Sequence, residues 1–191
     1  LDKEVFAHQV FLDTVQKAEV PLVSCAAAIK IVEPVAERKW VFKTPQSDFL
    51  IVGVLVDYFK AKGFEKVGWL NVDYAFGQLG WIEFEKAMQK AGLQIVANEK
   101  FGQKDVDMTA QLTRVKAANP QAVVVWSIPP SASIATKNYA DLGIKAPLFQ
   151  SHGVGNKMYI QLAGPGANGV VFPAGKLLVA EHLAANDPQK A

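Results

Sequence analysis

The run Gln121-Ala122-Val123-Val124-Val125-Trp126 constrains the fold of this chain more than any other stretch. Its β-branched side chains favour a strand, and the absence of polar alternation indicates that both faces of the strand are buried. Strands buried on both faces are typical of parallel sheets that carry helices on each side. The run therefore predicts a central strand of a parallel α/β sheet.

Strand and helix patterns alternate along the rest of the chain. Strands are predicted over residues 20–25, 66–71, 93–101, 121–126, 146–149 and 169–172. Helices are predicted over residues 5–17, from Ser47 or Asp48 to Lys62, over 77–90, from a cap at Asp107 to Pro120, from Ser131 or Ser133 to Asp141, and over 157–163. This alternation is typical of an α/β fold with a parallel sheet flanked by helices on both faces. Right-handed crossovers then place the strand-end loops on one edge of the sheet.

The loop QSHGVGN at residues 150–156 is the candidate ligand-binding segment. It follows a predicted strand, and ligands of open α/β sheets bind at such strand ends. His152 can donate or accept a hydrogen bond, and Gly153 and Gly155 leave the backbone beside it uncovered.

Charge and cysteine content exclude several functions. The chain has 20 basic and 18 acidic residues and no basic run, so we expect no nucleic-acid partner. Cys25 is the only cysteine, which excludes an intramolecular disulfide and any Cys/His metal spacing. We expect Cys25 to be a small buried side chain, and we expect no metal and no cofactor.

The sequence also argues against an enzyme and a membrane span. Gly153-Val154-Gly155 lacks the third glycine of a dinucleotide-binding loop, and no nucleophile–base pair stands at a strand end. No apolar run approaches the roughly 20 residues that a bilayer requires. The sequence begins at Leu1 without the pattern of a signal peptide, so we expect that peptide to be absent from these residues.

Several short motifs resemble a known family when their order and spacing are taken together. They are VPLVS at residues 20–24, FKT at 42–44, DYAFG at 73–77, AQL at 110–112, KAANP at 116–120, LG at 142–143 and HGVGN at 152–156. The chain thereby resembles the solute-binding proteins of ABC transporters of the branched-chain amino acid type, which include the leucine/isoleucine/valine-binding proteins.

The resemblance implies the type I periplasmic binding fold, with two α/β lobes that enclose a ligand. Residues 1–42 would be a partial first lobe and residues 43–172 the second α/β lobe. Residues 173–191 would be the return crossing and the start of the returning first-lobe segment. On this interpretation the chain is a fragment, and we expect its exposed apolar surface to favour a homodimer.

The resemblance also implies binding residues in both lobes. In relatives that bind amino acids, the loop after the first-lobe strand holds the ligand carboxylate. The matching loop of this chain would offer backbone N–H donors near Ala26 and Ala28. Ala28 stands where the family has a hydroxyl residue, and a turn of small residues that serves close packing is the alternative.

Second-lobe aromatic residues complete the implied site. Phe76 matches an aromatic residue that packs on the ligand, with Tyr74 nearby, although an aromatic residue at a helix start also serves to staple the helix. Trp126 and Ser127 end the central strand, where the indole forms either a wall for the ligand or part of the core.

His152 is the decisive departure from the family pattern. Amino-acid binders carry an acidic residue at this position, which pairs with the ligand ammonium group. Histidine replaces that anion poorly but suits an anion or a hydroxyl as an N–H donor. We therefore expect an extracytoplasmic or periplasmic component of an ABC importer that delivers a small organic acid to a membrane permease, and our hypothesis is that the acid is aromatic. An amino-acid-binding protein and a ligand-sensing receptor ectodomain are the alternatives.

Overall fold

The computed structural model of the chain describes the backbone of residues 3–188 and the side chains of residues 10–188. These residues form two compact units, with the division between Asp48 and Phe49. None of the described helices has the length and the apolar character needed to cross a bilayer.

The smaller unit is built around a two-stranded parallel sheet. Its elements are α1 (Lys3–Lys17), β1 (Leu22–Ser24), two 3₁₀ helices (Ile29–Ile31 and Val35–Glu37) and β2 (Val41–Lys43). Leu12, Ile31 and Val41 form its buried core. Arg38 is 7% exposed and donates to the Asp13 carboxylate at 2.8 Å, which ties the second half of the unit to α1.

The larger unit contains a four-stranded sheet in the order β4-β3-β5-β6, and all of its pairings are parallel. The strands are β3 (Lys66–Val72), β4 (Gln94–Phe101), β5 (Ala122–Trp126) and β6 (Leu148–Gln150). All five residues of β5 are buried, as the apolar run predicted. The parallel pairing confirms the predicted α/β class.

Helices cover both faces of this sheet. They are α2 (Asp48–Lys62), α3 (Ala75–Ala91), α4 (Thr109–Ala117), α5 (Ser131–Asp141) and α6 (Lys157–Ala163). Ala122, Val124 and Trp126 pack with α2 and α3. Val123 and Val125 pack on the other side with α4 and α5. The alternation of β5 side chains between two apolar layers explains why its sequence shows no polar face.

The predicted strand over residues 169–172 is wrong. Only one parallel bridge, between Phe149 and Val171, forms in this stretch. Gly169 has a φ of +80°, and Pro173 has no N–H to donate, so the extended segment is interrupted on both sides of Val171.

Some local predictions near element ends also need correction. The N-cap of α4 is Met108 and not Asp107, although the Asp107 carboxylate accepts a hydrogen bond from the Thr109 N–H at 2.8 Å. Hydrogen bonds from the Thr109 side chain and, to a smaller extent, from its backbone N–H lower the pKa of Asp107. Cys25 is exposed and not buried, because β1 ends at Ser24 and leaves the cysteine in the following loop.

Tyr139 provides a test of the packing between α5 and the sheet. Its hydroxyl donates to the Ala146 carbonyl at 2.6 Å, and burial raises its pKa well above 10. The unfolded chain loses this proton near pH 10 while the folded chain keeps it, so the contribution is intact below about pH 10 and is lost as the pH rises further. We expect the free energy of unfolding to fall above pH 10, by at most about 1.4 kcal/mol per pH unit from this group.

Urea unfolding between pH 8 and pH 11 measures this effect. Tyr139→Phe should show a smaller alkaline loss of stability than the wild type. Tyr58→Phe, which changes a tyrosine that is 38% exposed, should keep the wild-type dependence. Identical pH dependence of the wild type and Tyr139→Phe would contradict the account.

Candidate ligand-binding site

The carboxyl ends of three neighbouring strands form one edge of the larger unit. β5 pairs in parallel with both β3 and β6, so the chain leaves Val72, Trp126 and Gln150 on the same edge. The ends of these strands and the segments that follow them carry five of the predicted site residues. These residues are Tyr74, Phe76, Trp126, Ser127 and His152.

Four of these residues form an aromatic cluster: Tyr74, Phe76, Trp126 and His152. Phe76 stacks on Trp126 with ring centroids 5.7 Å apart and an interplanar angle of 28°. His152 stands edge-on to both rings, with its centroid 6.0 Å from Phe76 and 6.1 Å from Trp126. The Tyr74 ring also contacts Phe76, with ring centroids 6.4 Å apart. The structure thus brings together aromatic residues from three separate segments.

Exposure divides the cluster into two layers. Trp126 is 0% exposed and also stacks on Trp69 at a centroid distance of 5.4 Å. Tyr74, Phe76 and His152 are half-buried. These three side chains are therefore partly exposed at the surface of the unit, whereas burial favours the core-packing alternative for Trp126.

Tyr74 and Phe76 sit at the start of α3. The helix begins at Ala75, two residues earlier than predicted, with Tyr74 as its N-cap and Phe76 in its first turn. Phe76 packs against the apolar layers on both faces of the sheet, so it also staples the helix as the alternative proposed. Burial raises the pKa of Tyr74, which keeps its hydroxyl neutral and able to donate at physiological pH.

Ser127 is fully buried, so its side chain does not reach the surface. Its hydroxyl lies 2.9 Å from the hydroxyl of Ser131, and its carbonyl accepts a hydrogen bond from the Ser151 hydroxyl at 2.6 Å. In this arrangement Ser127 joins the end of β5 to the segment that carries His152.

Hydrogen bonds hold the backbone around His152. The residue begins a 3₁₀ helix (His152–Val154), and the Gly153 N–H donates to the Ser151 hydroxyl at 3.3 Å. Asn156 closes the loop: its amide donates to the Gly153 carbonyl at 3.2 Å, and its side-chain oxygen accepts from the Tyr159 N–H at 2.9 Å. The imidazole thus projects from a segment that is anchored on both sides.

Beneath this loop lies a group of buried polar side chains that sequence reasoning did not identify. Gln150 and Tyr159 both lie 2.9 Å from the hydroxyl oxygen of Thr136. Burial raises the pKa of Tyr159, and its hydrogen bonds with Thr136 and Gln150 oppose that rise. These residues come from β6, α5 and α6, so no local spacing pattern connects them.

Ala26 and Ala28 belong to the smaller unit, in the loop after β1. The Ala26 N–H donates to the Ser24 hydroxyl at 3.2 Å, so Ser24 already occupies one predicted ligand donor. Ala28 is half-buried and is the N-cap of the first 3₁₀ helix. The sequence did not predict the hydrogen bond of Ala26 with Ser24 or the position of Ala28 at the start of a helix.

Lys43 supports the same loop. Its ammonium donates to the Ala27 carbonyl at 3.0 Å and to the Pro45 carbonyl at 2.7 Å. Burial lowers the pKa of Lys43, and the Asp48 carboxylate partly opposes that effect. The lysine therefore links the loop that contains Ala26 and Ala28 to the segment after β2.

Two other kinds of site were considered, a metal site and a surface pocket. Within residues 3–188, no three His, Cys, Asp or Glu side chains come together as a metal site would require. One surface depression of about 250 Å³ lies near the amino ends of β5 and β6, and its lining includes Lys116, Asn119 and Lys145. It is at the opposite edge of the sheet from His152.

The fold defines the class of protein: a parallel α/β chain of the type I periplasmic binding fold. The family model for periplasmic binding proteins matches residues 7–190, and the chain belongs to this family. The Leu/Ile/Val-binding protein homolog 3 of Brucella melitensis is 26% identical over an alignment 161 positions long, and the alignment covers 79% of this chain and 44% of that protein.

Solved structures agree with this assignment. An extracellular ligand-binding receptor from Rhodopseudomonas palustris HaA2 is 28% identical with a TM-score of 0.86, over 93% of this chain and 50% of that one. A branched-chain amino acid ABC transporter protein from Thermus thermophilus with bound valine is 25% identical with a TM-score of 0.78, over 86% of this chain and 43% of that one. The chain spans about half the length of these relatives.

Gly80 in α3 tests the support beneath the aromatic cluster. A Cβ at this position would overlap the indole nitrogen of Trp126, which is buried and cannot move freely. We expect Gly80→Ala to lower the free energy of unfolding by about 1–3 kcal/mol, as overpacking of a core does.

Gly53→Ala in α2 is the matched control, because no atom lies within 4 Å of a Cβ built there. Alanine favours a helix over glycine by about 1 kcal/mol, so this variant should be neutral or more stable. Urea unfolding of both variants decides the matter, and equal stabilities would show that Trp126 does not depend on Gly80.

Proposed function

We propose that this chain is part of an extracytoplasmic, periplasmic solute-binding protein of an ABC importer, and that its solute is a small aromatic acid. The observation that carries the proposal is the contact of His152 with Phe76 at the carboxyl edge of the sheet. The resemblance described above implies an acidic residue at the position of His152 in family members that bind amino acids. The proposed role is capture, not catalysis.

The chemistry of His152 favours an acid over an amino acid. An imidazole N–H donates a hydrogen bond to a carboxylate, and a protonated imidazole also attracts its charge. The same ring cannot supply the anion that an α-ammonium group requires. A ligand with a carboxylate and no ammonium group therefore matches this position best.

The rings beside His152 favour a flat ligand body. Phe76 and Tyr74 are half-buried and lie within 6.4 Å of each other. Aromatic rings pack well against other rings in offset or edge-on geometry. A ligand ring against Phe76 would place its carboxylate toward His152.

Two alternatives rest on the relatives. The Thermus thermophilus protein with bound valine supports a branched-chain or other amino acid as the solute. The Rhodopseudomonas palustris protein described as an extracellular ligand-binding receptor supports a ligand-sensing ectodomain. The identity of the residue at position 152 argues against the first alternative.

The proposed mechanism is closure of two lobes around the solute. A ligand that contacts both lobes binds the closed state more tightly and so raises its population. His152 with Phe76 would contact the solute from the second lobe. The closed form would then dock on the membrane permease.

Calorimetry on the full-length protein tests the ligand class. Benzoate and phenylacetate should bind, and leucine and valine should bind at least tenfold more weakly, a difference of about 1.4 kcal/mol. His152→Glu should weaken the binding of the acids by a similar factor because it opposes one negative charge with another.

His182→Glu is the control for added charge, because His182 is exposed in the segment after residue 175. It should leave the affinity for the acids unchanged. Binding of leucine or valine together with no binding of either acid would sink the aromatic-acid proposal.

Homodimerisation of this 191-residue chain is a separate proposal, supported by apolar residues on α2. Leu50, Val54 and Tyr58 follow one another at intervals of four residues and are 52%, 57% and 38% exposed. Such a stripe on one helix face favours association. Sedimentation equilibrium should show dimers of the wild type and a shift to monomers in Val54→Lys; a monomeric wild type would rule the dimer out.

A further inference from the structure

Three polar side chains are buried together beneath the loop that carries His152. Gln150 and Thr136 are 0% exposed and Tyr159 is 2% exposed. We call them the buried polar triad. Burial of an amide or a hydroxyl is costly unless hydrogen bonds replace water, and an apolar side chain at Gln150 would avoid that cost. The triad therefore requires an explanation beyond the filling of space.

The hydrogen bonds of the triad meet at the Thr136 hydroxyl, and one arrangement satisfies them together. The Thr136 hydroxyl has a single proton and donates it to the Ala132 carbonyl at 2.8 Å. Its oxygen must then accept from both neighbours: from the Gln150 amide and from the Tyr159 hydroxyl, each at 2.9 Å. Both lone pairs of the oxygen are used, so rotation of any member breaks a bond.

This arrangement joins both ends of the His152 loop to one point on α5. Gln150 ends β6 and comes two residues before His152, and Tyr159 lies in α6 after the loop. The Tyr159 N–H also donates to the Asn156 side chain, which in turn donates to the Gly153 carbonyl. A change in the triad is thus transmitted through few bonds to the backbone of His152.

We infer that Gln150, Thr136 and Tyr159 are positioning residues that set the orientation of the His152 ring against Phe76. They do not touch the ligand. The expected effect on ligand binding, tighter binding of an aromatic acid, rests on the proposed function. The orientation of the His152 ring can be measured without a ligand. Loss of one hydrogen bond in the triad should change the orientation of the His152 ring while the fold is kept.

Tyr159→Phe in the full-length protein is the test variant, and Tyr139→Phe is its matched control. Both variants remove the hydroxyl of a buried tyrosine. Tyr159 contacts α5, whereas Tyr139 lies in α5 and donates its hydroxyl proton to the Ala146 carbonyl and not to the triad. The two variants should lose similar stability, since each removes one buried, hydrogen-bonded hydroxyl. Only Tyr159→Phe should affect His152.

Two readouts separate positioning from general destabilisation. The ring ¹H–¹⁵N spectrum of His152 in the ligand-free protein should shift in Tyr159→Phe and should superimpose on the wild type in Tyr139→Phe. Calorimetry with benzoate should show about fivefold weaker binding, or more, in Tyr159→Phe alone, as expected from one lost hydrogen bond near the site.

Thr136→Val, which removes the shared acceptor with little change of volume, serves as a second variant if Tyr159→Phe does not fold. Wild-type ring signals and wild-type affinity in either folded variant would overturn the inference, as would equal changes in Tyr139→Phe. If the wild type binds no acid, the proposed function fails, and the ligand-free ring spectrum alone decides whether the triad positions His152.

Discussion

The register of β5 between β3 and β6 is the constraint on which the candidate site depends. Asn71 lies opposite Trp126 in one pairing, and Val125 lies opposite Gln150 in the other. This register brings the loops after the three strands to a common edge. A shift of one residue would turn Trp126 to the opposite face of the sheet and would separate it from Phe76.

Trp126 connects the core of the larger unit to its edge. Its indole stacks on Trp69, which is buried in the sheet, and on Phe76 at the start of α3. His152 packs against the same indole and Phe76 from the loop after β6. The half-buried rings at this edge therefore pack on a fully buried residue, so the stability of the sheet and the geometry of the edge depend on the same indole.

Much of this fold could be predicted because its signals are local. The apolar run in β5 and the alternation of strands and helices along the chain carry the parallel α/β class. The stretch around Val171 could not be assigned from its apolar residues, because the backbone at Gly169 and Pro173 decides whether a ladder continues. The predicted N-cap of α4 was also wrong by one residue, because the helix is capped by Met108 and not by Asp107.

The candidate site was less accessible to prediction than the fold. Strand-end position pointed to Trp126 and His152, but it does not determine how deeply a side chain is buried. The triad of Gln150, Thr136 and Tyr159 depends on contacts between three elements, and Ser24 and Lys43 act on a loop of alanines through backbone groups. Such contacts follow from tertiary packing and leave no periodic pattern.

A crystal structure of the full-length protein with benzoate tests the central claim most directly. The account predicts the ligand ring packed on Phe76 and a carboxylate oxygen at about 2.7–3.2 Å from a ring nitrogen of His152. Benzoate bound without contact to either residue would contradict it. So would a purified protein that retains an amino acid with its ammonium group next to His152.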